Sequence, residues 1–387
     1  MNKYLNPNSP VIKIFLILLT WRVFLIIILF FAIKFIPLGQ TDRFLGGGHA
    51  NYQVAPELFS WANFDGEHYL SISIFGYKFL EQAFFPIYPM LIHLFAAPFS
   101  PDLLSSLLNS TIAGLLVSNI SFLLALLFLF ELISLDFSRK IAFTTIITLL
   151  IFPTSFYFGS VYSESLFLLL SVSSFYFARK DRWFLSAFLG LVASATRVFG
   201  FLLLPALLME AYQQKAKFSR VFWIIFIPVG LVAYMFFQFL TVGDPLAFYH
   251  LQERVGQQHQ SGIILLPQVY FRYTKMLLTV DPTQPIYLTI ILEFATGILF
   301  FLLPIIGYFK KMRLSYLLYA MLAFLTPTIQ GSFSSLPRYI IVLFPCFLTL
   351  AIVWTSLPKF LKVVTFSASV ASLILETTLF LRGYWVA

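Results

Sequence analysis

Apolar positions in this chain come in long unbroken runs, separated by short polar interruptions. A helix crossing a bilayer needs about 20 consecutive apolar residues. Runs of that kind cover 11–36, 107–134, 141–158, 163–178, 221–241, 285–308, 314–329, 340–356 and 361–381. Two stretches depart from the pattern. Residues 86–98 are too short for a full crossing and carry three prolines and His93. Residues 183–210 are too long, and Thr196-Arg197 interrupts them. The pattern therefore predicts two short spans meeting at Thr196-Arg197-Val198-Phe199-Gly200, and a half-membrane or very short helix over 86–98. It predicts an all-α polytopic membrane protein with about eleven spans. The first run is too long for the core of a cleaved leader and reads as a first span.

Two longer polar stretches remain, 37–85 within the first outer loop 37–106, and 242–284, with no soluble domain between the runs. The whole chain, 1–387, reads as one transmembrane domain. The run Gly46-Gly47-Gly48 lacks a following lysine, so it reads as a flexible loop and not a phosphate cradle. Residues 61–76 are ambiguous, because Leu70-Ser71-Ile72-Ser73-Ile74 alternates as a strand would. A lone strand at a membrane surface leaves backbone groups unpaired, so an interfacial helix is expected. On such a helix Trp61, Asp65, His68, Tyr69 and Ile72 share a face and Glu67 points elsewhere.

Composition agrees with the pattern: 60% of residues are hydrophobic and 11% charged, against about a quarter charged in soluble domains. The net charge of +9 does not indicate nucleic acid, because the basic residues fall in short clusters between apolar runs. Such clusters mark the cytoplasmic side and contacts with anionic lipid. Lys3 and Lys13, Arg139-Lys140, Arg179 to Arg182, Lys215 to Arg220, Lys310 to Arg313, and Lys359 with Lys362 share that side if 183–210 crosses twice. The N-terminus is then cytoplasmic. The polar loops, including 37–106, Tyr157 to Ser165, Thr196 to Gly200, 242–284 and Gly331 to Arg338, are then extracytoplasmic. The 48 Phe and 19 Tyr residues are packing and interfacial belts before anything else. A single cysteine, Cys346, excludes a disulfide within the chain.

Ionisable groups near lipid are costly, which makes them candidates for function. Asp65 and Glu67 lie beside Trp61, His68 and Tyr69 in the first polar loop. Capping or loop solvation explains Asp65 equally well. Glu164, in Tyr162-Ser163-Glu164-Ser165, suits the first turn of a helix, where the dipole favours a carboxylate. Arg197 breaks an apolar stretch and needs a counter-charge, carbonyls or a phosphate. Arg338, next to Tyr339, can snorkel or bind an anion. Gly243-Asp244-Pro245 reads as a turn. The five histidines, with no cysteine partners, form no zinc spacing. Asp65 with Glu67 would be able to hold a divalent ion, although no ligand cluster requires one. No nucleophile-elbow pattern is present.

These motifs follow in an order that resembles the PIG-V family of GPI mannosyltransferases and its bacterial relatives, in the GT-C superfamily. They are Trp61…Asp65-Gly66…His68-Tyr69-Leu70, Gly76-Tyr77, Ala83-Phe84-Phe85-Pro86-Ile87-Tyr88-Pro89, Tyr162-Ser163-Glu164-Ser165, Thr196-Arg197…Gly200, Gly243-Asp244-Pro245-Leu246-Ala247-Phe248 and Arg338-Tyr339. The resemblance runs from about residue 11 to about residue 350. The family usually has tryptophan directly before the aspartate and a basic residue before that tryptophan. Here Phe64 precedes Asp65, Trp61 lies four positions before it, and the basic residue is missing. The resemblance implies a GT-C-type bundle that moves mannose from a polyprenyl-phosphate carrier to a lipid or glycan acceptor on the outer face. It implies that Asp65 matches the catalytic aspartate and that Arg197 and Arg338 lie near the donor. Glu67, His68, Tyr69, Tyr88, Glu164 and Tyr339, all in the matching motifs, are the further candidates for substrate contact.

The residues alone reach a compatible reading. No nucleotide-binding domain is present, and an outward site has little access to cytosolic nucleotides. Transfer with inversion needs one base and positive charge for a leaving phosphate, whereas an inverting glycosidase needs two working carboxylates. A transporter or flippase of lipid-linked sugars is the alternative, marked by broken helices with midplane charges. A structural subunit supporting another enzyme is the third. The absence of retention signals fits a prokaryotic plasma membrane.

Overall fold

The computed structural model describes residues 9–39, 48–251, 264–284 and 286–386. Lys3 and Gly46-Gly47 lie outside the described residues. Among those described, helix is the regular secondary structure present and no strand occurs. Among the described residues five helices are long and apolar enough to cross a membrane: Pro10–Phe35, Leu103–Ile133, Phe218–Val242, Ile286–Phe309 and Lys359–Leu381. A sixth candidate is the pair Leu336–Val342 and Phe344–Ser356, bent by 86°. The expected all-helical membrane class stands. The expected count of about eleven does not follow from length and apolarity, which support five or six.

Several runs are shorter as helices than as apolar sequence. The run 141–158 is a helix only over Arg139–Leu150, followed by a tight turn over Ser155–Gly159. Pro153 lacks the N–H that a continuing helix requires. Residues 183–210 form two short helices, Trp183–Ser194 and Leu203–Gln214, with Arg197 extended between them. Residues 86–98 form the ten-residue helix Ile87–Ala96. The 340–356 run is not straight; it bends ahead of Pro345.

The described chain makes two compact units. The first holds residues 1–76, 88–172 and 357–384; the second holds 77–87, 173–356 and 385–387. In the first unit, Pro10–Phe35 buries Ile14, Leu18, Trp21, Leu25, Ile28, Leu29 and Ala32. That stripe recurs every three or four residues, which is one helical face. The opposite face leaves Phe15, Leu19, Val23, Ile26, Phe30 and Phe31 exposed, a surface suited to lipid and costly in water. This helix packs against Lys359–Leu381 and Leu103–Ile133. The last begins with a reciprocal cap: Ser105 N–H donates to Asp102 Oδ1 (2.9 Å) and Asp102 N–H to Ser105 Oγ (3.1 Å), which satisfies donors that a helix start leaves unpaired.

In the second unit, the buried Glu210 carboxylate accepts two hydrogen bonds from Arg313 (3.0 and 2.7 Å) and one from Ser315 Oγ (2.5 Å). Arg179 Nε lies 3.3 Å from it. This ion cluster marks one end of the unit. The helix Leu314–Thr328 starts beside it and ends near Gly331, about 22 Å away at 1.5 Å per residue.

Candidate functional site

Asp65 opens the helix Asp65–Phe75. The chain reaches it through Phe64, whose φ of 58° and ψ of −119° are unusual for a bulky residue, and such strain gathers where a neighbour's placement matters. The helix therefore begins at Asp65, and Trp61 sits outside it, in the turn Ser60–Ala62. The expected common face holds for Asp65, His68, Tyr69 and Ile72 but not for Trp61, because the break at Phe64 cuts the periodicity. Asp65, Glu67 and His68 are half-buried, while Gly66, Tyr69 and Ile72 are buried.

The segment around Asp65 is fastened on several sides within the first unit. Val161 N–H donates to Trp61 O (2.9 Å) and Tyr162 Oη to Asn63 O (2.8 Å). Tyr69 Oη lies 3.0 Å from Ser163 Oγ. Asn63 Nδ2 donates to Phe380 O (2.8 Å), so the last helix braces the loop as well. A Cβ on Gly66 would lie 3.3 Å from Val161 O, tighter than ordinary contact, so glycine permits this approach.

Tyr88 and Glu164 join the same unit. Tyr88 is fully buried; its hydroxyl lies 2.8 Å from Ser118 Oγ and 3.0 Å from Gly114 O. Ser118 Oγ in turn donates to Tyr162 O (3.0 Å). The Tyr88 ring packs edge-on against Tyr69, with centroids 5.0 Å apart. Glu164 opens the helix Glu164–Arg179 and is 1% exposed. A carboxylate at that depth costs several kcal/mol unless satisfied, and the helix start supplies favourable N–H dipoles.

Arg197, Arg338 and Tyr339 come together in the second unit. The Arg197 and Arg338 guanidinium carbons stand 5.6 and 4.9 Å from the Tyr339 ring centroid. Arg338 Nη2 also donates to Tyr339 Oη (3.2 Å) and is 6% exposed. Two cations brought to one ring repel each other, and an anion between them would relieve the repulsion. Asp244, after the left-handed Gly243 (φ 75°), makes the expected turn: it accepts from Leu246 N–H (2.9 Å) and pairs with His250 Nδ1 (2.7 Å). The His250 contact holds the Asp244 carboxyl below the ordinary range.

A family model described as Mannosyltransferase (PIG-V) matches residues 47–250. The chain belongs to that family. It is a membrane mannosyltransferase, using a sugar donor and an acceptor. No curated protein and no solved structure matches the chain. The match contains Asp65, Glu67, His68, Tyr69, Tyr88, Glu164 and Arg197; Arg338 and Tyr339 lie beyond it. Among the described residues no group of three or more His, Cys, Asp or Glu is placed to hold a metal ion. Asp65 and Glu67 are two positions apart on one helix, which turns their side chains about 200° apart.

Sequence reasoning passed over several charges inside long apolar runs, among them Arg22 and Glu376. Arg22 lies halfway along Pro10–Phe35; its Nη1 donates to Gly159 O (2.9 Å), and its guanidinium sits 4.2 Å from the Trp61 ring centroid. Glu376 is buried in Lys359–Leu381, one turn before Phe380. The signal for both was present: a charge within a membrane-length run faces protein rather than lipid.

Proposed function

We propose that this family member transfers mannose from a polyprenyl-phosphate carrier to an acceptor hydroxyl, with inversion, at the extracytoplasmic face. In this reading the acceptor oxygen attacks the anomeric carbon and the bond from that carbon to the carrier phosphate oxygen breaks. Asp65 takes the hydroxyl proton. The carrier leaves as a phosphate monoester and needs no general acid, because Arg197 and Arg338 stabilise its charge. Tyr339 holds the two guanidiniums. Glu67, His68, Tyr69, Tyr88 and Glu164 shape the surroundings of Asp65 or contact the sugars.

The observation that carries the donor reading is the sharing of the Tyr339 ring by Arg197 and Arg338. The strained connection at Phe64 and the bonds from Val161 and Tyr162 support Asp65 as the base, since a base must be held near a fixed position. The acceptor is a lipid or glycan, and the membrane a prokaryotic plasma membrane.

The test uses purified protein in lipid nanodiscs with radiolabelled polyprenyl-phosphate mannose and a membrane-extract acceptor. Asp65→Asn is expected to lower transfer at least about a hundredfold, with the protein still inserted and folded. Wild-type turnover in Asp65→Asn would remove Asp65 as the base. Loss of label from neither protein, with carrier flux across the bilayer of liposomes holding the same protein, would replace transfer by transport.

A further inference from the structure

The segment that carries Arg338 is held by a helix of the second polar loop. That helix, Leu266–Thr279, lies beyond the residues matched by the family. Its Tyr273 is 2% exposed and sits at the centre of a compact set of bonds. The Tyr273 hydroxyl donates to Glu293 Oε2 (2.7 Å) and accepts from Phe333 N–H (3.2 Å). The other oxygen of Glu293 accepts from Ser335 N–H (3.0 Å). Ser335 has a φ of 58° and begins the short turn Leu336–Tyr339, with Arg338 three residues on.

Neighbouring contacts hold the same segment. Arg272 Nη1 donates to Gly331 O (3.0 Å), and Ile264 N–H donates to Ile329 O (2.9 Å). The Phe333 ring packs on Tyr270 and Tyr273, with centroids 5.1 and 4.9 Å apart. A Cβ on Gly297 would come within 2.8 Å of that ring. Burial and the Glu293 charge raise the Tyr273 hydroxyl well above the usual tyrosine range, so it stays protonated and donates to Glu293 at every physiological pH.

We propose that Tyr273 and Glu293 are positioning residues for anion binding. Together they set the register of Ser332 to Arg338, and with it the aim of the Arg338 guanidinium. Donor affinity then depends on whether Leu266–Thr279 is docked. The proposal rests on Arg338 being a ligand of the donor phosphate.

The test measures equilibrium binding of radiolabelled polyprenyl-phosphate mannose to the full chain in nanodiscs, in an Asp65→Asn background that prevents turnover. Tyr273→Phe keeps the ring against Phe333 and removes only the hydroxyl; Glu293→Gln keeps the volume and removes the charge. Each is expected to weaken donor binding about tenfold, with acceptor binding unchanged. Adding Tyr273→Phe to Arg338→Ala is expected to cost nothing further, because residues acting through one group are not additive. Unchanged donor binding in Arg338→Ala would overturn the phosphate reading and this proposal with it. Weakened binding in Arg338→Ala, with Tyr273→Phe and Glu293→Gln at wild-type affinity, would overturn the positioning role alone. Equal losses for donor and acceptor, or additive losses in the double variant, would also overturn it.

Discussion

At the residue scale the charged groups divide by how they are satisfied. Glu210 has no exposed side-chain surface and receives Arg313, Arg179 and Ser315. Its partners are mostly buried too, at 23% and 11% side-chain exposure. Removing one member of such a cluster strands the rest, at about 3–5 kcal/mol. Glu210→Ala is therefore expected to destabilise the protein by that amount, read as a lower unfolding midpoint in detergent, with Glu210→Gln intermediate. A shift as small as that of an exposed pair such as Arg220–Asp181 would show that water reaches the cluster. Arg197 and Arg338 are placed differently, against one aromatic ring. Arg197 and Arg338 stood out in the sequence as charges beside apolar runs; Glu210, the last residue of the stretch 183–210, did not. Their difference was hidden, because Glu210 meets Arg313 across 103 positions and no local pattern records that pairing.

At the element scale, what recurs is a broken helix whose freed backbone groups find side-chain partners. Within the span Phe218–Val242, a tighter turn over Phe222–Phe226 gives way to the regular helix Val229–Val242 after Pro228, which cannot continue a preceding helix without losing a bond. Ser194 on Trp183–Ser194 fills the gap: its hydroxyl donates to Ile227 O (2.6 Å) and accepts from Leu231 N–H (3.2 Å). In lipid such groups have no water to turn to. The two helices approach so closely that a Cβ on Gly230 would lie 2.2 Å from Leu191 O. That atom is backbone, so the helices must part. Gly230→Ala is expected to cost about 1–3 kcal/mol and Gly230→Val more, measured as faster thermal inactivation. Gly243→Ala, where a Cβ meets nothing within 4 Å, should show only the smaller penalty of a left-handed alanine. The break at Thr196-Arg197 was legible, because a polar pair interrupted an apolar run too long for one span. The role of Ser194 was not, since its partners lie 33 and 37 positions away. The shortened helix after Arg139 was half-legible: Pro153 announced an end, but the apolar run continued past it.

At the scale of the whole molecule, the distribution of charge along the second unit bears on chemistry. The Glu210–Arg313 cluster and the Arg220–Asp181 pair lie at one end. Gly331, where Arg272 of Leu266–Thr279 donates, follows the far end of Leu314–Thr328, a helix about 22 Å long at 1.5 Å per residue, and Arg338 lies seven residues further along the chain. The basic clusters predict that the first end is cytoplasmic, and on that expectation the Arg338 end faces outside. That assignment is testable because Cys346, the single cysteine, is buried and should leave the parent protein unlabelled. Lys180 and Lys275 are both exposed, one at each end. In intact cells a membrane-impermeant maleimide is expected to label Lys275→Cys, and to reach Lys180→Cys only after permeabilisation. The reverse pattern would bring the Arg338 end into contact with cytosolic nucleotide sugars. The requirement for a donor delivered on a lipid would then lose its physical basis, although the family and the helical fold would stand.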